Sequence, residues 1–220
     1  MHFGPDYRET LALRDGTPVV LRAIQPDDKA MLQSGLAQLS PESRYLRFFS
    51  DKSRLSSDEL EYLTEVDGST HLAIVALHAQ TGAGLGVARY VCIDEGAAEP
   101  AIVVTDAYQN RGLGTLLLRR LSAAALERGV ERFVAEFLDR NDRVRAMLRA
   151  VSPEVEFVQD DEVVRAYVPL SPKAADPAAE HHDGSAAYAL FAEIAAGLVD
   201  LRHRLLVLKG RESDDEPSPE

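Results

Sequence analysis

The chain of 220 residues contains no tryptophan and a single cysteine, and it is short of positive charge. With Cys92 alone there is no intrachain disulfide and no reactive thiol pair, and inside the apolar run RYVCI this thiol reads as a buried structural one. Lys and Arg number 24 against 36 Asp and Glu, a formal charge of −12. That balance argues against wrapping a nucleic-acid backbone, which wants a basic face, and favours cationic partners weakly. Part of it is local: residues 211–220, RESDDEPSPE, carry one Arg and five acids, so they hold −4 and leave −8 for the rest. The start MHFGPDYRETLALRDG has no apolar leader core. No uncharged apolar run approaches the ~18 residues that cross a bilayer. These absences give the expectation of a cytoplasmic protein with no membrane and no nucleic-acid partner. His181 and His182 are adjacent in a Pro/Ala/Asp-rich stretch without a ligand spacing around them, so they read as a solvated pair and no metal is expected.

What is present is 45% hydrophobic content, enough for one substantial core. Residues 17–24, TPVVLRAI, form a β-branched strand, and QPDDKAMLQSGLAQLS follows as a helix with Pro26, Asp27 and Asp28 in its opening turn. SPESRYLRFFS and SSDELEYLTEV each open on a Ser cap and run on with helical spacing. HLAIVALHA (71–79), GLGVARYVCID (84–94) and PAIVVTD (100–106) predict a meander of strands, the first two joined by the turn QTGA. From Gly112 the period becomes helical, with Leu113, Leu116, Leu117, Leu121 and Ala124 on one face, Arg119, Arg120 and Arg128 elsewhere, and Gly129 as the stop. ERFVAEFL is then a strand, NDRVRAMLRAV a helix, and VEFVQ with EVVRAYVPL a closing strand pair. The predicted order is β-α-α-β-β-β-α-β-α-β-β over residues 1–170. Residues 171–184 read as a linker, 185–210 as an amphipathic helix and 211–220 as a disordered acidic tail. In that last helix Phe191, Ile194, Leu198, Leu201, Leu205 and Leu208 make a stripe that either packs on the core or pairs two copies of the chain into a homodimer.

The most informative stretch is TDAYQNRGLGTLLL, residues 105–118, where a strand passes through a glycine turn into a helix. A helix start is an anion cradle, because its first N–H groups have no intrahelical acceptor and the dipole favours negative charge. Phosphate is the natural guest, with Arg111 at the rim. A P-loop would need a Lys after Gly114, where Thr115 stands, and a dinucleotide turn would need a third glycine where Leu117 stands.

The pattern Gln109, Asn110, Arg111, Gly112, Leu113, Gly114, preceded by AIVVTDAY, resembles the acyl-CoA-binding motif of the Gcn5-related N-acetyltransferase (GNAT) family. With the element order, the resemblance covers about residues 17–169. It implies an α+β fold of α/β/α layers, with a mixed, mostly antiparallel central sheet flanked by helices, to which the C-terminal helical extension is added. It implies acetyl-CoA as cosubstrate, held by Ile102, Val103 and Val104 of the feeding strand, by Gln109 to Gly114, by Thr115 and by Asn141. The stretches LRDGTPVVLRAIQPDD, LSPESRYLRFFS and DGSTHLAIVAL further resemble the GNAT domains of bacterial protein-lysine acetyltransferases. In RYLRFF, Arg44 and Arg47 are candidates for the acceptor side, a packed helix being the other reading.

The acceptor implied is an amine. A lysine has a pKa near 10.4, so forming the free amine at pH 7 costs about 4.6 kcal/mol and calls for a base. Glu99, one strand length before the loop, stands where the lysine-acetyltransferase branch places its catalytic glutamate. Pro100 departs from the family and would remove a ladder N–H there. Leu148 stands where many members carry the tyrosine that protonates the thiolate. Three readings stay open: a protein-lysine acetyltransferase, an acetyltransferase of small amines or amino acids, and a degenerate acyl-CoA-binding sensor.

Overall fold

The computed structural model describes residues 2–41, 52–109, 111–139, 145, 148–149, 151–161 and 163–171. The described strands are β1 (Arg8–Ala12), β2 (Pro18–Ala23), β3 (His71–His78), β4 (Gly84–Asp94), β5 (Ala97–Val104), β6 (Arg132–Leu138), β7 (Glu156–Asp160) and β8 (Val163–Pro169). They form one sheet in the order β1-β2-β3-β4-β5-β6-β8-β7. All neighbours are antiparallel except β5 and β6. This is the mixed, mostly antiparallel sheet that the resemblance implies.

Alternation along the central strands sorts side chains onto two faces. Leu72, Ile74 and Ala76 of β3, Leu85, Ala88 and Tyr90 of β4, and Ala98, Ile102 and Val104 of β5 point to one side. There they meet α3 (Leu113–Glu127), whose Leu113, Leu116, Leu117, Leu121, Ala124 and Ala125 are buried. The opposite face, with Ala73, Val75 and Val87, is covered by Met31 and Leu32 of α1 (Lys29–Ala37). Beside α1 lies α2 (Ser57–Thr64), opened by a capping box in which Ser56 Oγ accepts from Glu59 N–H at 3.2 Å and Ser56 N–H donates to Glu59 at 2.9 Å. On the α3 side β4 and β5 approach so closely that a methyl group at Gly86 would lie 2.6 Å from Val103 O and 3.3 Å from Leu117 Cδ1.

Two features correct the sequence reading. Residues 8–12, which carry no clear strand pattern in the sequence, form β1 at the sheet edge. Arg120, placed away from the buried face of its helix, is only 4% exposed. The two are one finding: Arg120 Nε and Nη2 donate to Glu9 of β1 at 2.7 and 2.8 Å, and Tyr7 Oη donates to the same carboxylate at 2.9 Å. The Arg120 hydrogen bonds hold the Glu9 carboxyl below its usual range, so a buried cation is matched rather than stranded. Cys92 is half-buried. The expected linker, C-terminal helix and acidic tail, along with Arg44 and Arg47, lie outside the described residues.

Candidate functional site

The central feature is a fork between β5 and β6. Their parallel pairing begins with Ala97 beside Arg132 and ends with Ala98 beside Phe133, after which β6 pairs only with β8. Hydrogen-bond parity says what faces the gap. Cys92 N–H donates to Thr70 O at 2.7 Å, and Thr105 N–H donates to Leu85 O at 2.9 Å. Even-numbered residues of β4 near Tyr90 therefore turn their main chain to β3, and odd-numbered ones turn theirs to β5. Tyr90 and its partner Pro100 exchange no hydrogen bond, so the Pro100 nitrogen faces the gap and its missing N–H takes nothing from the β4 ladder. Ile102 likewise directs its N–H and C=O into the gap, as a substrate amide would require. Val103 turns its main chain to Val87 instead. Val104 O accepts from Gln109 Nε2 at 3.4 Å.

The fork leads into the glycine loop. Gly112 caps α3 in the left-handed conformation, φ 85° and ψ −4°, which a side chain rarely adopts. The helix then begins with Leu113 and Gly114, both buried, and half-buried Thr115, with the first intrahelical bond from Leu116 N–H to Gly112 O at 3.0 Å. The side chain of Gln109 is engaged inside the loop, donating to Asp106 Oδ1 at 2.6 Å, while Asp106 Oδ2 accepts from Ser40 N–H at 2.8 Å. Gln109 therefore braces the loop, and its main-chain N–H is also taken, by Asp106 O at 3.3 Å. Arg111 reaches back to Asp15 at 3.0 Å and lies 5.0 Å over the Tyr108 ring. Asn110 and Asn141 lie outside the described residues.

Glu99 stands on the face opposite α3, half-buried, level with Val91 of β4, whose other neighbour is His71 of β3. One pleat along the same face is Arg89, 2% exposed, which donates to His71 Nε2 at 3.1 Å and to Leu63 O at 3.1 Å. Because a guanidinium only donates, His71 Nε2 accepts and the proton of the neutral ring sits on Nδ1. Burial, reinforced by the Arg89 cation, pushes the His71 pKa down to about 3. Burial also lowers the Arg89 pKa, to about 10. The Tyr62 ring lies 4.8 Å from His71. Burial raises the Tyr62 pKa, with the Arg89 charge pulling it down and the Glu99 charge pushing it up, so this phenol lies within electrostatic reach of both. Leu148 is 3% exposed and belongs to the main core.

The sequence reading therefore placed the loop and the strand feeding it but missed the groups that surround them. Arg89 had a visible signal, the one cation in the middle of the apolar strand GLGVARYVCID. Asp15 and Gly16 form the dipeptide that most strongly marks a hairpin turn, in LRDGT. His71 and Tyr62 had none, since their roles come from the register of β3 on β4 and the docking of α2.

Among the described residues no helix is long and apolar enough to cross a membrane, and no three His, Cys, Asp or Glu side chains converge on a metal-sized site. The family model of the acetyltransferase (GNAT) family matches residues 38–151. An acetyltransferase of Pseudomonas aeruginosa is 32% identical over 121 residues, 54% of this chain and 65% of that protein. The acetyltransferase Pat of Mycolicibacterium smegmatis is 35% identical over 138 residues, 62% of this chain and 41% of that one. The chain thus spans less than two thirds of either relative. The crystal structure of the GNAT domain of S. lividans PAT superposes with a TM-score of 0.65 at 32% identity, covering 74% of this chain and 97% of that domain. With the forked sheet, the left-handed glycine cap and a family match across half of its length, the chain belongs to the GNAT acetyltransferase family.

Proposed function

We propose that the chain transfers the acetyl group of acetyl-CoA directly to an amine in a ternary complex, with a lysine of another protein as the acceptor, in the bacterial cytoplasm. The observation that carries this reading is the continuous path from the α3 start, along the gap side of β5, to Glu99. The pyrophosphate would sit on the N–H groups that open α3, and the pantetheine amide would pair with the main chain of Ile102. The thioester would then reach the neighbourhood of Glu99, since the five residues from Glu99 to Val104 extend about 17 Å. Glu99 accepts a proton from the acceptor ammonium, and the free amine attacks the thioester carbon. The tetrahedral species sheds its extra N–H proton to water in the gap and collapses with loss of CoA thiolate, which takes a proton back from that water to leave CoA–SH. Leu148, packed in the core, is no donor for that step, so water in the gap supplies it.

The test is turnover of acetyl-CoA with a panel of lysine peptides and small amines. Efficient use of peptides supports the proposal, and preference for small amines overturns the acceptor assignment. Glu99→Gln keeps the shape and removes the proton acceptor, so kcat should fall by about 10²-fold or more at pH 7 with CoA affinity unchanged. The defect should shrink as pH rises toward the amine pKa. A sensor reading is favoured by one observation, the buried Leu148, and tight CoA binding without turnover on any amine would select it.

A further inference from the structure

We propose that Arg14, on the turn between β1 and β2, binds the pyrophosphate of acyl-CoA, and that Asp15 beside it weakens this site by neutralising Arg111. This rests on the acyl-CoA reading above and adds two residues from a part of the chain far from the glycine loop. The turn is tightly built: Leu13 N–H donates to Thr17 O at 2.8 Å, Gly16 N–H to Leu13 O at 2.9 Å, and Thr17 N–H to Asp15 Oδ1 at 2.9 Å. It leans over the loop at two points. Asp15 Oδ2 meets Arg111 Nη1 at 3.0 Å. A methyl group at Gly112 would lie 3.9 Å from Arg14 Nε and 4.0 Å from its Cδ, so the Arg14 side chain lies against the cap of α3.

Three consequences follow from charge. The first N–H groups of α3 leave the cap in the direction that attracts an anion, and Arg14 is the cation standing over that cap. Arg111, the cation expected there from sequence, is paired to a carboxylate. The Asp15 carboxyl is held below its usual range, first by its hydrogen bonds to Thr17 and then by Arg111, so it is anionic at neutral pH. In a chain of charge −12, a polyanionic cosubstrate needs a local cation to overcome general repulsion, and Arg14 supplies it.

The experiment is calorimetric titration of the full chain with CoA and with dephospho-CoA, which keeps the pyrophosphate and lacks the 3′-phosphate. Arg14→Gln should weaken both ligands by the same factor, about tenfold, and Arg14→Lys should recover part of the loss. Asp15→Asn retains the oxygen that accepts from Thr17 N–H but removes the charge, so CoA should bind about threefold more tightly. Opposite signs at neighbouring residues would not arise from damage to the turn. Unchanged affinity in Arg14→Gln, or a loss confined to CoA, overturns the assignment to pyrophosphate. Weaker binding in Asp15→Asn overturns the second half. If the wild-type chain binds no CoA, it is the acyl-CoA reading that fails.

Discussion

A single methyl group added at Gly112 or at Gly86 should produce opposite phenotypes. At Gly112 the added carbon meets nothing closer than Arg14 Nε at 3.9 Å, so the penalty is that of a left-handed alanine, about 1–2 kcal/mol. For a domain of this size that lowers the melting temperature by about 2–4 °C per kcal/mol. The bound state is another matter, because the methyl stands at the cap where the proposed pyrophosphate would sit. With CoA at 100 times Kd the wild type gains about 2.7 kcal/mol, or about 5–11 °C, and Gly112→Ala should lose most of that shift. At Gly86 the same carbon lies 2.6 Å from Val103 O and 3.3 Å from Leu117 Cδ1 and Val104 Cα. The first of these is backbone, which yields only by parting β4 from β5, so overpacking of about 1–3 kcal/mol or more is expected. Gly86→Ala should therefore melt early yet keep a ligand shift as long as it folds. Differential scanning fluorimetry with and without CoA reads both. A full CoA shift in Gly112→Ala would refute the placement of the ligand at this cap.

Two further outcomes can be measured. His71 is neutral when folded down to about pH 3 but takes up a proton below pH 6.5 when unfolded, so stability should fall on acidification through that window. The slope is at most about 1.4 kcal/mol per pH unit, and His71→Gln should flatten it in urea titrations from pH 7 to 4. Asp67 adds a separate loss between its ordinary range and about pH 2, where its folded carboxyl finally protonates. Truncation after Leu170 should lower the mass measured by light scattering from dimer to monomer, and an unchanged monomeric mass for both forms would assign the 191–208 stripe to packing within one chain.

The legible parts of this fold are those where local pattern and tertiary environment agree. The runs that became β3 to β5 are apolar because both faces of those strands are covered, and α3 shows its period because one stripe meets the sheet. The loop was legible because a left-handed helix cap calls for glycine. Strand β1 was not, because an edge strand reading RETLA has one side in solvent and gains its place through Glu9, whose partner lies on a helix more than a hundred residues away. The surroundings of Glu99 were legible only in Arg89, a cation inside an apolar strand: His71, Arg89 and Tyr62 come from β3, β4 and α2, and only register brings them together. Pro100 looked from sequence like a defect in a ladder. Its parity puts the absent donor on the side where there is no ladder to lose.

That placement bears on how the resting protein waits for its cosubstrate. Were β6 to close onto β5 by two more residues, Glu99 would meet Val134 and Pro100 would meet Ala135, and the next parallel hydrogen bond would have to come from the nitrogen of Pro100. The proline thus acts as a zip stop. An exposed strand edge is normally prone to capture by any neighbouring strand, and here the nearest one is denied a continuous run of donors. An acyl-CoA bound as proposed would insert into an opening that already exists and would not have to separate two bonded strands first, which removes one cost from its binding.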